Sequence, residues 1–458
     1  MNLFVHIAMF GWIPVVIALF SRLRPRHAVI VSFLTAWLFL PNASYSLAGL
    51  PDYTKMSATC WGILLGALLF DRKHLFSFRV RWVDLPMIVW CLCPAASSLS
   101  NGLGLYDGLS SALRQTVTWG LPYMTGRIYF KDLEGLREFA LGIFIGGLIY
   151  VPLCLYEIRM SPQLHYILYG FYQHSFVQTF RYGGWRPMVF LEHGLMVGTW
   201  MAGASLIGLW IWASGGVRRL LGIPVACLLP LLLLTTVLIK STGALFLLAL
   251  GTALLFLSAR SKKPLLVFCL VAVPVLYMTV RITGSWSGGN LVSFVSVHIN
   301  EERAKSLAYR FRNENLLTEK ALIRPVFGWG GWGRSRVYDE QGKDISVTDG
   351  LWVIALGTNG LVGLVSLTSS ILMPLFVVMR RYRAEDWLHP AVAPAVALAA
   401  LLGLYMIDNL PNAMVNPIFM VGGGGITALL SESLPSREDV PSRSEPFSEE
   451  ALLQPRFL

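Results

Sequence analysis

Long apolar runs separated by short polar segments dominate the chain. A spanning helix needs about 20 apolar residues, and a sliding window of that length predicts thirteen such segments. They cover residues 3–20, 28–48, 55–70, 84–100, 108–126, 137–156, 188–212, 221–239, 241–259, 264–281, 349–379, 391–407 and 413–431. The least regular are 108–126, which contains Arg114, and the pair divided near Lys240. The pattern predicts an all-α fold, a polytopic bundle of about 12–13 spanning helices.

Two longer polar segments divide this pattern. The predicted organisation is N-terminal transmembrane helices in 1–156, an outer loop in 157–187, core helices in 188–281, a large loop in 282–348, C-terminal helices in 349–431 and a tail in 432–458. The tail is rich in Ser, Pro and Glu, which predicts disorder. Within the large loop, residues 301–323 are predicted to form an amphipathic helix. Its apolar stripe consists of Ala304, Leu307, Ala308, Phe311, Leu317 and Ala321.

Composition agrees with a membrane protein. The 458 residues are 55% hydrophobic and only 14% charged, whereas soluble domains carry about 25% charged residues. The mean hydropathy is +0.59. A soluble protein, a disordered chain and a coiled coil are therefore excluded, because each needs more charge than this chain has.

The net charge of +11 is distributed along the chain in a way that predicts topology. More than half of the 37 Lys and Arg residues fall in alternate short loops and the tail, for example Arg22, Arg24 and Arg26 in the first loop. By the positive-inside rule these loops and the tail are cytoplasmic. The N-terminus and both long polar segments are then outside. The charge is a topology signal, and no nucleic-acid partner is expected.

The first candidate site lies around the start of the predicted helix at 188. Arg181 and Arg186 precede it, and Pro187 suits the first turn of a helix. Guanidinium groups at a helix N-terminus would bind an anion such as phosphate, although interfacial arginines also extend to lipid headgroups. Glu192 and His193 are expected about one turn inside the helix, where ionisable groups are usually functional. The alternative for His193 is a hydrogen-bonded contact between helices.

A glycine- and tryptophan-rich turn is the second candidate. It follows the predicted amphipathic helix and reads Phe327-Gly328-Trp329-Gly330-Gly331-Trp332-Gly333-Arg334. No strand precedes it and no helix follows, so the turn does not predict dinucleotide binding. The rings of Trp329 and Trp332 could stack on sugars or lie at the lipid interface.

Two further ionisable residues stand where loops meet predicted helices. Asp349 precedes the helix that follows the large loop, either as a helix N-cap or as a general base. Lys240 lies between two very apolar segments, where it would either bind an anion or extend to the headgroups. Arg303 and Arg310 are seven residues apart and so share one face of the amphipathic helix.

In order and spacing these elements resemble the O-antigen ligase and Wzy polymerase superfamily of polytopic membrane glycosyltransferases. The resemblance covers about residues 180–365, and it is carried by Arg186-Pro187, Lys240-Ser241-Thr242-Gly243-Ala244, Arg310, Pro325-Val326-Phe327-Gly328-Trp329-Gly330 and Gly360-Leu361-Val362-Gly363. Arg310 precedes the proline-containing motif by about fifteen residues, as in the family. Asp349 stands where the family has a His-Asn element, and Lys240 stands in a Ser-Arg-Gly-Ala-like element that lacks its arginine. These departures indicate a divergent subgroup, similar to ligase-like proteins of exopolysaccharide or exosortase systems.

The resemblance implies an enzyme of cell-surface polysaccharide biosynthesis in the bacterial inner membrane, with its site facing the periplasm. Its donor would be a glycan on polyprenyl (undecaprenyl) diphosphate, and its acceptor a hydroxyl of a glycan, lipid or glycoconjugate. Inverting transfer would need no metal or other cofactor. Asp349, Arg310 and Arg186 would be catalytic, and Arg181 and Lys240 would join the two arginines in binding diphosphate. The candidates for binding acceptor or glycan are Glu192, His193, Trp329, Trp332 and Arg334.

Three alternatives remain at this stage. A Wzy-type polymerase would use the same donor and differ only in its acceptor. A transporter or flippase for lipid-linked glycans would need charges along the middle of its helices, whereas most charges here lie at loops and helix ends. A non-catalytic scaffold would have no need of the paired outer arginines.

Overall fold

The computed structural model describes residues 1–46, 51–181, 183–298 and 300–431. The predicted disordered tail, 432–458, lies outside these residues. Within them the chain is mostly helical. The helices of the first half are α1 (Leu3–Arg22), α2 (Pro25–Phe39), α3 (Lys55–Phe70), α4 (Arg72–Phe76), α5 (Leu85–Ser100), α6 (Leu105–Gln115), α7 (Leu121–Tyr129), α8 (Leu133–Met160) and α9 (Leu164–Tyr169). Those of the second half are α10 (Gly194–Ala213), α11 (Val225–Leu238), α12 (Thr242–Ser261), α13 (Leu265–Ile282), α14 (Gly289–His298), α15 (Glu301–Leu322), α16 (Leu351–Arg381), α17 (Ala393–Asp408) and α18 (Pro417–Ala428).

The described strands form three two-stranded antiparallel hairpins. These are β1 (Ser44–Tyr45) with β2 (Tyr53–Thr54), β3 (Phe180–Arg181) with β4 (Gly184–Trp185), and β5 (Arg219–Leu220) with β6 (Ile223–Pro224). In the second hairpin Phe180 pairs with Trp185, and Arg181 pairs with Gly184. Each hairpin joins helices at an end of the bundle, so the strands serve as tight connections.

Seven helical segments of the described chain are long and apolar enough to cross a membrane. Six of them are the helices α1, α8, α10, α12, α13 and α16. The seventh is the segment Trp82–Ser100, which contains α5. Five shorter apolar helices accompany them, namely α2, α3, α11, α17 and α18. The remaining predicted segment, 108–126, is helical too, because a π-helical turn at Thr116–Gly120 joins α6 to α7. Each predicted segment thus contains a helix, and the polytopic membrane class is supported. The structure gives seven helices of spanning length, fewer than the predicted 12–13.

Several predicted boundaries are wrong. The helix predicted over 28–48 ends at Phe39, and α8 continues to Met160, into the segment predicted to be a loop. The large segment 282–348 contains two helices, α14 and α15. The amphipathic helix is confirmed as α15, with Ala304, Phe311, Leu317 and Ala321 buried. Ala308, however, is exposed, so this position of the predicted apolar stripe does not belong to the buried face of α15.

The largest correction concerns the helix predicted to begin at 188, which begins at Gly194. The Glu157 carboxylate, on α8, accepts hydrogen bonds from the backbone N–H groups of Met188 and Val189 at 2.8 and 2.7 Å. Val189 has a φ of 52°, which is costly for a β-branched residue and incompatible with a right-handed helix. A tertiary contact therefore replaces the helix that the apolar run alone predicts.

Glycines permit the closest helix packing. A Cβ added at Gly126 of α7 would collide with the Val421 carbonyl of α18, and one at Gly424 would collide with the Tyr123 carbonyl of α7. Such small residues let helix backbones approach closely where lipid provides no hydrophobic driving force. The pair α7–α18 is thereby fixed in its register.

Contacts between connections define one end of the bundle, called here the site end. Asn42 donates to the Phe190 carbonyl at 3.0 Å, and Arg186 donates to the Lys240 carbonyl at 3.3 Å. The Leu351 N–H donates to the carbonyl of Asn409 at 3.0 Å. The segments that precede α3, α10 and α12 therefore lie together, as do those that precede α16 and α18, and a hydrogen bond from Thr199 of α10 to Asp408 of α17 connects the two sets. The candidate residues lie in these segments, except Arg310, which lies on α15.

The opposite end is held by a buried ion pair. The Arg127 guanidinium makes two hydrogen bonds to Asp84, of 2.7 and 3.0 Å, and both side chains are almost fully buried. The Tyr123 hydroxyl adds a third bond to Asp84 at 2.8 Å. A bidentate, fully hydrogen-bonded pair of this kind is the arrangement that best offsets the cost of burying charge.

Candidate functional site

A group of basic side chains, the cationic cluster, surrounds the start of α10. It consists of Arg181, Arg186, Lys240, His174 and His193. A Cβ added at Gly194 would lie 2.7 Å from Cγ of Arg186, and one at Gly184 would collide with Nζ of Lys240. The two glycines therefore leave room for the two long basic chains. In the described chain, the buried Nε of Arg186 has no hydrogen-bond partner.

The electrostatics of this cluster favour an anion. Within the described residues, neither Arg181 nor Arg186 forms an ion pair with a carboxylate. Burial and the proximity of Arg181 lower the pKa of Arg186. The prediction that Glu192 and His193 lie one turn inside a helix is wrong: Glu192 is exposed in the preceding turn, and His193 is the N-cap residue of α10. An anionic ligand would supply the negative charge that these two guanidinium groups lack.

His193 is held as a neutral imidazole. Its Nδ1 accepts a hydrogen bond from the Leu195 N–H at 3.0 Å, and its ring packs edge-on against His174 with centroids 4.7 Å apart. Burial, followed by the charges of His174, Arg186 and Arg181, lowers the pKa of His193 to about 4. At neutral pH the residue therefore caps the helix without adding positive charge to the cluster.

We expect this depressed pKa to make the protein acid-labile. Below the ordinary histidine pKa of 6.5 the unfolded chain takes up a proton that the folded chain refuses until about pH 4, so stability is present above pH 6.5 and is lost toward pH 4. His193→Asn retains an N-cap acceptor and does not titrate. Its melting temperature should fall less than that of the wild type between pH 7 and 4.5. His298→Asn, on the exposed side of α14, is the control and should follow the wild type; equal slopes in all three proteins would contradict the prediction.

A second group joins α15 to the segment before α16. The Nε of Arg310 lies 4.0 Å from the Asp349 carboxylate, and the two side chains are 38% and 41% exposed. They border an open pocket of about 240 Å³. Its lining residues are Arg310, Asn313, Glu314, Leu317, Val347, Asp349, Gly350, Val353 and Pro411. Because the two charged groups are as far as 4.0 Å apart and partly exposed, both are accessible to a ligand.

Asp349 is not a helix cap. Gly350 is the N-cap residue of α16, and the Leu351 N–H donates to the carbonyls of both Asn409 and Asn412. Asn313 accepts a hydrogen bond from the Val347 N–H at 2.8 Å and so ties the incoming chain to α15. The Asp349 carboxylate is therefore available for chemistry, and its backbone is fixed on both sides.

The end of α17 lies between the two groups. Asp408 accepts hydrogen bonds from the Thr199 hydroxyl of α10 at 3.1 Å and from the Asn412 amide at 3.3 Å. Asn412 also accepts from Leu351 at the start of α16. Within the described residues no hydrogen bond or ion pair joins the cationic cluster to Arg310 and Asp349 directly. The structure brings the candidates together as two neighbouring groups connected through α17.

An apolar pocket of about 280 Å³ lies along the helices next to this connection. It is lined by Thr199, Ala202, Gly203, Leu206, Ala244, Leu247, Leu248, Leu401, Leu404 and Tyr405, from α10, α12 and α17. Its lining is almost entirely hydrocarbon, which suits an apolar chain.

The glycine-rich turn and the Gly-Leu-Val-Gly motif form one structural unit. Gly360 has a φ of 64° and interrupts α16. The carbonyls that the interruption leaves open accept hydrogen bonds from the turn: Trp329 N–H to Gly357 at 2.9 Å and Gly330 N–H to Thr358 at 3.0 Å. In return, the Leu361 N–H donates to the Pro325 carbonyl at 2.7 Å. In the structure these two motifs mainly provide hydrogen-bond partners for the backbone groups at the interruption of α16.

The tryptophans of this turn have different surroundings. Nζ of Lys320 and the guanidinium of Arg324 lie over the Trp329 ring, 4.1 and 4.7 Å from its centroid, and its indole N–H donates to the Lys320 carbonyl. Trp332 is 80% exposed and donates to Asp107 at 2.6 Å. Arg334 follows in the same turn and is partly exposed. Trp332 is thus the more accessible ring for a ligand.

Sequence reasoning missed several polar residues of this region, among them Asn313, Glu314 and Asp408. Asn313 and Glu314 stand three and four residues after Arg310, a spacing that places all three on one helical face. That spacing was available from the sequence once Arg310 had been singled out. Asp408 carries no comparable local signal, because its partner Thr199 is distant in the chain.

No cluster of three or more His, Cys, Asp or Glu side chains able to hold a metal occurs in the part of the chain that the structure describes. In comparisons with known proteins, no family model matches the chain and no curated protein matches it.

Proposed function

We propose that the protein is an O-antigen ligase-like membrane glycosyltransferase that transfers a glycan from a polyprenyl diphosphate donor to an acceptor hydroxyl. The observation that carries the proposal is the accessible pair of Arg310 and Asp349, 4.0 Å apart in an open pocket. This pocket shares the site end with the cationic cluster. A guanidinium beside a carboxylate suits a reaction in which an anion departs while a hydroxyl loses its proton.

The proposed step is a single displacement. The acceptor oxygen forms a bond to the anomeric carbon of the donor sugar, and the bond from that carbon to the phosphate oxygen breaks. The bonding electron pair leaves with the diphosphate, and the acceptor proton passes to Asp349. Arg310 and Arg186 stabilise the departing charge, and such fixed contacts are worth about 10²–10³ in rate each. Attack opposite the leaving group inverts the anomeric centre.

The remaining candidate residues receive roles that fit their surroundings. Arg181 and Lys240 complete the diphosphate site around Arg186. Trp332, with Arg334, Glu192, His193 and Trp329, contributes to the surface along which acceptor or glycan binds. The apolar pocket between α10, α12 and α17 suits the hydrocarbon chain of the donor, because its lining is almost free of polar groups.

The proposed location is the bacterial inner membrane, with the site end facing the periplasm and the tail in the cytoplasm. The distribution of charge supports this orientation. Arg22, Lys73, Arg260 and Arg380 lie at helix ends or connections opposite the site end, and positive residues favour the cytoplasmic side. A lipid diphosphate in the outer leaflet would then reach the site at headgroup depth.

The test is a reconstituted reaction. Purified protein receives a labelled glycan on polyprenyl diphosphate together with an acceptor, and free polyprenyl diphosphate is measured. Release that requires the acceptor supports a glycosyltransferase, whereas movement of intact donor across a vesicle bilayer without release would indicate a transporter and overturn the proposal. Lengthened lipid-linked glycan identifies a polymerase, and glycan on another carrier identifies a ligase.

We expect this activity to persist in excess chelator. The proposed leaving group is already activated, and its charge is stabilised by arginines, so no step requires a metal. The measurement compares initial rates with and without chelator, and adds back Mg²⁺ and Mn²⁺ as controls. Loss of activity that either ion restores would contradict the metal-independent mechanism.

A further inference from the structure

The short helix α14 differs from the longer helices in its burial. All ten of its residues are at least partly exposed. The helix contains no Asp, Glu, Lys or Arg, and its side chains are mainly apolar ones and serines. An exposed apolar surface without charges is unusual on a water-facing helix, and a contiguous one marks a surface that another molecule covers.

Helical spacing divides the side chains of α14 between three sides. The first side packs against α15 and consists of half-buried valines, Val292 and Val295. The second side is polar and consists of exposed serines, Ser293 and Ser296. The third side, called here the apolar stripe, consists of Leu291, Phe294 and Val297, which are 40%, 53% and 77% exposed. An amphipathic helix of this kind suits the boundary between an apolar medium and water.

The connection from α13 determines where α14 begins. Nη1 of Arg281 donates to the Trp286 carbonyl at 3.0 Å, and the Trp286 ring packs against Tyr277 with centroids 6.2 Å apart. The indole N–H of Trp286 donates in turn to Oδ1 of Asn290, on α14, at 2.8 Å. Tyr277 lies about one and a half turns before the end of α13 at Ile282. The start of α14 is therefore held close to the last turns of α13.

This position favours lipid as the molecule that covers the apolar stripe. The helix α13 is long and apolar enough to cross a membrane, and most of its residues are at least partly exposed, so lipid surrounds it. A ten-residue helix is about 15 Å long and cannot cross a hydrocarbon core of about 30 Å. A protein partner is less suited, because three side chains provide far less than the roughly 800 Å² per partner of a stable interface.

We propose that α14 is an interfacial helix, which lies along the membrane surface at the site end and inserts its apolar stripe among the lipids. Ser293 and Ser296 then face water, and Trp286 lies at headgroup level, where tryptophan is enriched. Because α14 packs against α15, its contact with lipid also fixes the depth of α15, which carries Arg310. This lipid contact is independent of the proposed reaction.

Photo-cross-linking of the full-length protein tests the proposal. The protein is reconstituted in vesicles of phosphatidylethanolamine and phosphatidylglycerol. Phe294→p-benzoylphenylalanine keeps an aromatic ring on the apolar stripe, and Ser293→p-benzoylphenylalanine is the matched control on the polar side. After irradiation, mass spectrometry should find about tenfold more lipid adduct at position 294 than at position 293, because only the apolar side enters the lipid. Equal yields at the two positions, or cross-links from position 294 to a second copy of the chain instead of lipid, would overturn the proposal.

Hydrogen exchange in the same vesicles provides a second measurement. A ten-residue helix is marginal by itself, so protection of the α14 amides depends on what covers the stripe. Phe294→Asp combined with Val297→Asp should accelerate their exchange about tenfold. Ser293→Asp combined with Ser296→Asp adds two carboxylates at the same spacing and should stay within about twofold of the wild type. Equal acceleration in both variants would contradict lipid contact through the stripe.

The two measurements keep the outcomes separate. If the variant with aspartates at 294 and 297 does not fold, the cross-linking still decides, because it introduces no charge. Neither measurement requires glycan transfer. An inactive wild-type protein whose position 294 cross-links to lipid would overturn the proposed function and support the interfacial helix, whereas an active protein without these adducts would overturn the interfacial helix alone.

Discussion

Arg310→Ala is expected to abolish steady-state glycan transfer while leaving expression and membrane insertion intact. In the proposed reaction the guanidinium stabilises the charge that develops on the departing diphosphate, and losing one such contact should lower the rate at least about 10²–10³-fold. The side chain is 38% exposed and its contact with Asp349 is long, so folding should tolerate its removal. Release of polyprenyl diphosphate by the purified variant is the measurement.

Arg312→Ala is the matched control for this experiment. Arg312 lies on the same helix, is exposed and is absent from the pocket lining, so its loss should leave the rate unchanged. Asp349→Ala should be as inactive as Arg310→Ala, because the proposed reaction then has no base for the acceptor proton. Full activity in both Arg310→Ala and Asp349→Ala would refute the site assignment.

Gly328→Ala is expected to destabilise the fold strongly, so that most of the protein does not reach the folded state. Gly328 has a φ of 69°, and an added Cβ would lie 2.6 Å from the Gly360 nitrogen and 2.7 Å from both the Asn359 nitrogen and the Gly357 oxygen. The turn would have to leave the interruption in α16 and expose its open backbone groups. Backbone strain and lost hydrogen bonds together amount to about 3 kcal/mol or more. Thermal unfolding of the detergent-purified protein measures the loss.

Gly331→Ala is the control from the same turn. A Cβ at Gly331 would have no atom within 4 Å, so its melting temperature should stay close to that of the wild type, a change within about 0.5 kcal/mol. The contrast isolates the close backbone approach from the general flexibility of a glycine-rich turn. Equal melting temperatures for Gly328→Ala and Gly331→Ala would contradict the account of the broken helix.

The helices themselves were largely predictable. Apolar length located a helix in each of thirteen predicted segments, and the period of apolar residues located α15 to within one residue of its observed end, Leu322. Both signals are local, since a helix satisfies its own backbone and shows its buried face in the spacing of its residues. The number of helices of spanning length was overestimated, because the sliding window also accepts apolar helices of fewer than 18 residues.

The segment before α10 shows why other features could not be predicted. Its apolar run favours a helix, yet Glu157 binds the N–H groups of Met188 and Val189 from a neighbouring helix. No local pattern records that contact. The candidate residues divide in the same way: the sequence identifies Arg310 and Asp349 separately, and only the fold places them 4.0 Å apart.

The interruption of α16 at Gly360 has a consequence for biogenesis. A helix that enters the bilayer with open carbonyls and N–H groups is unstable there until other groups satisfy them. The partners come from Pro325, Trp329 and Gly330, in a segment that precedes α16 in the chain. We therefore expect stable insertion of α16 to require docking of this segment. The segment 325–330 thus completes the backbone hydrogen bonding of the helix that follows it, and we expect α16 to be unstable in a bilayer without it.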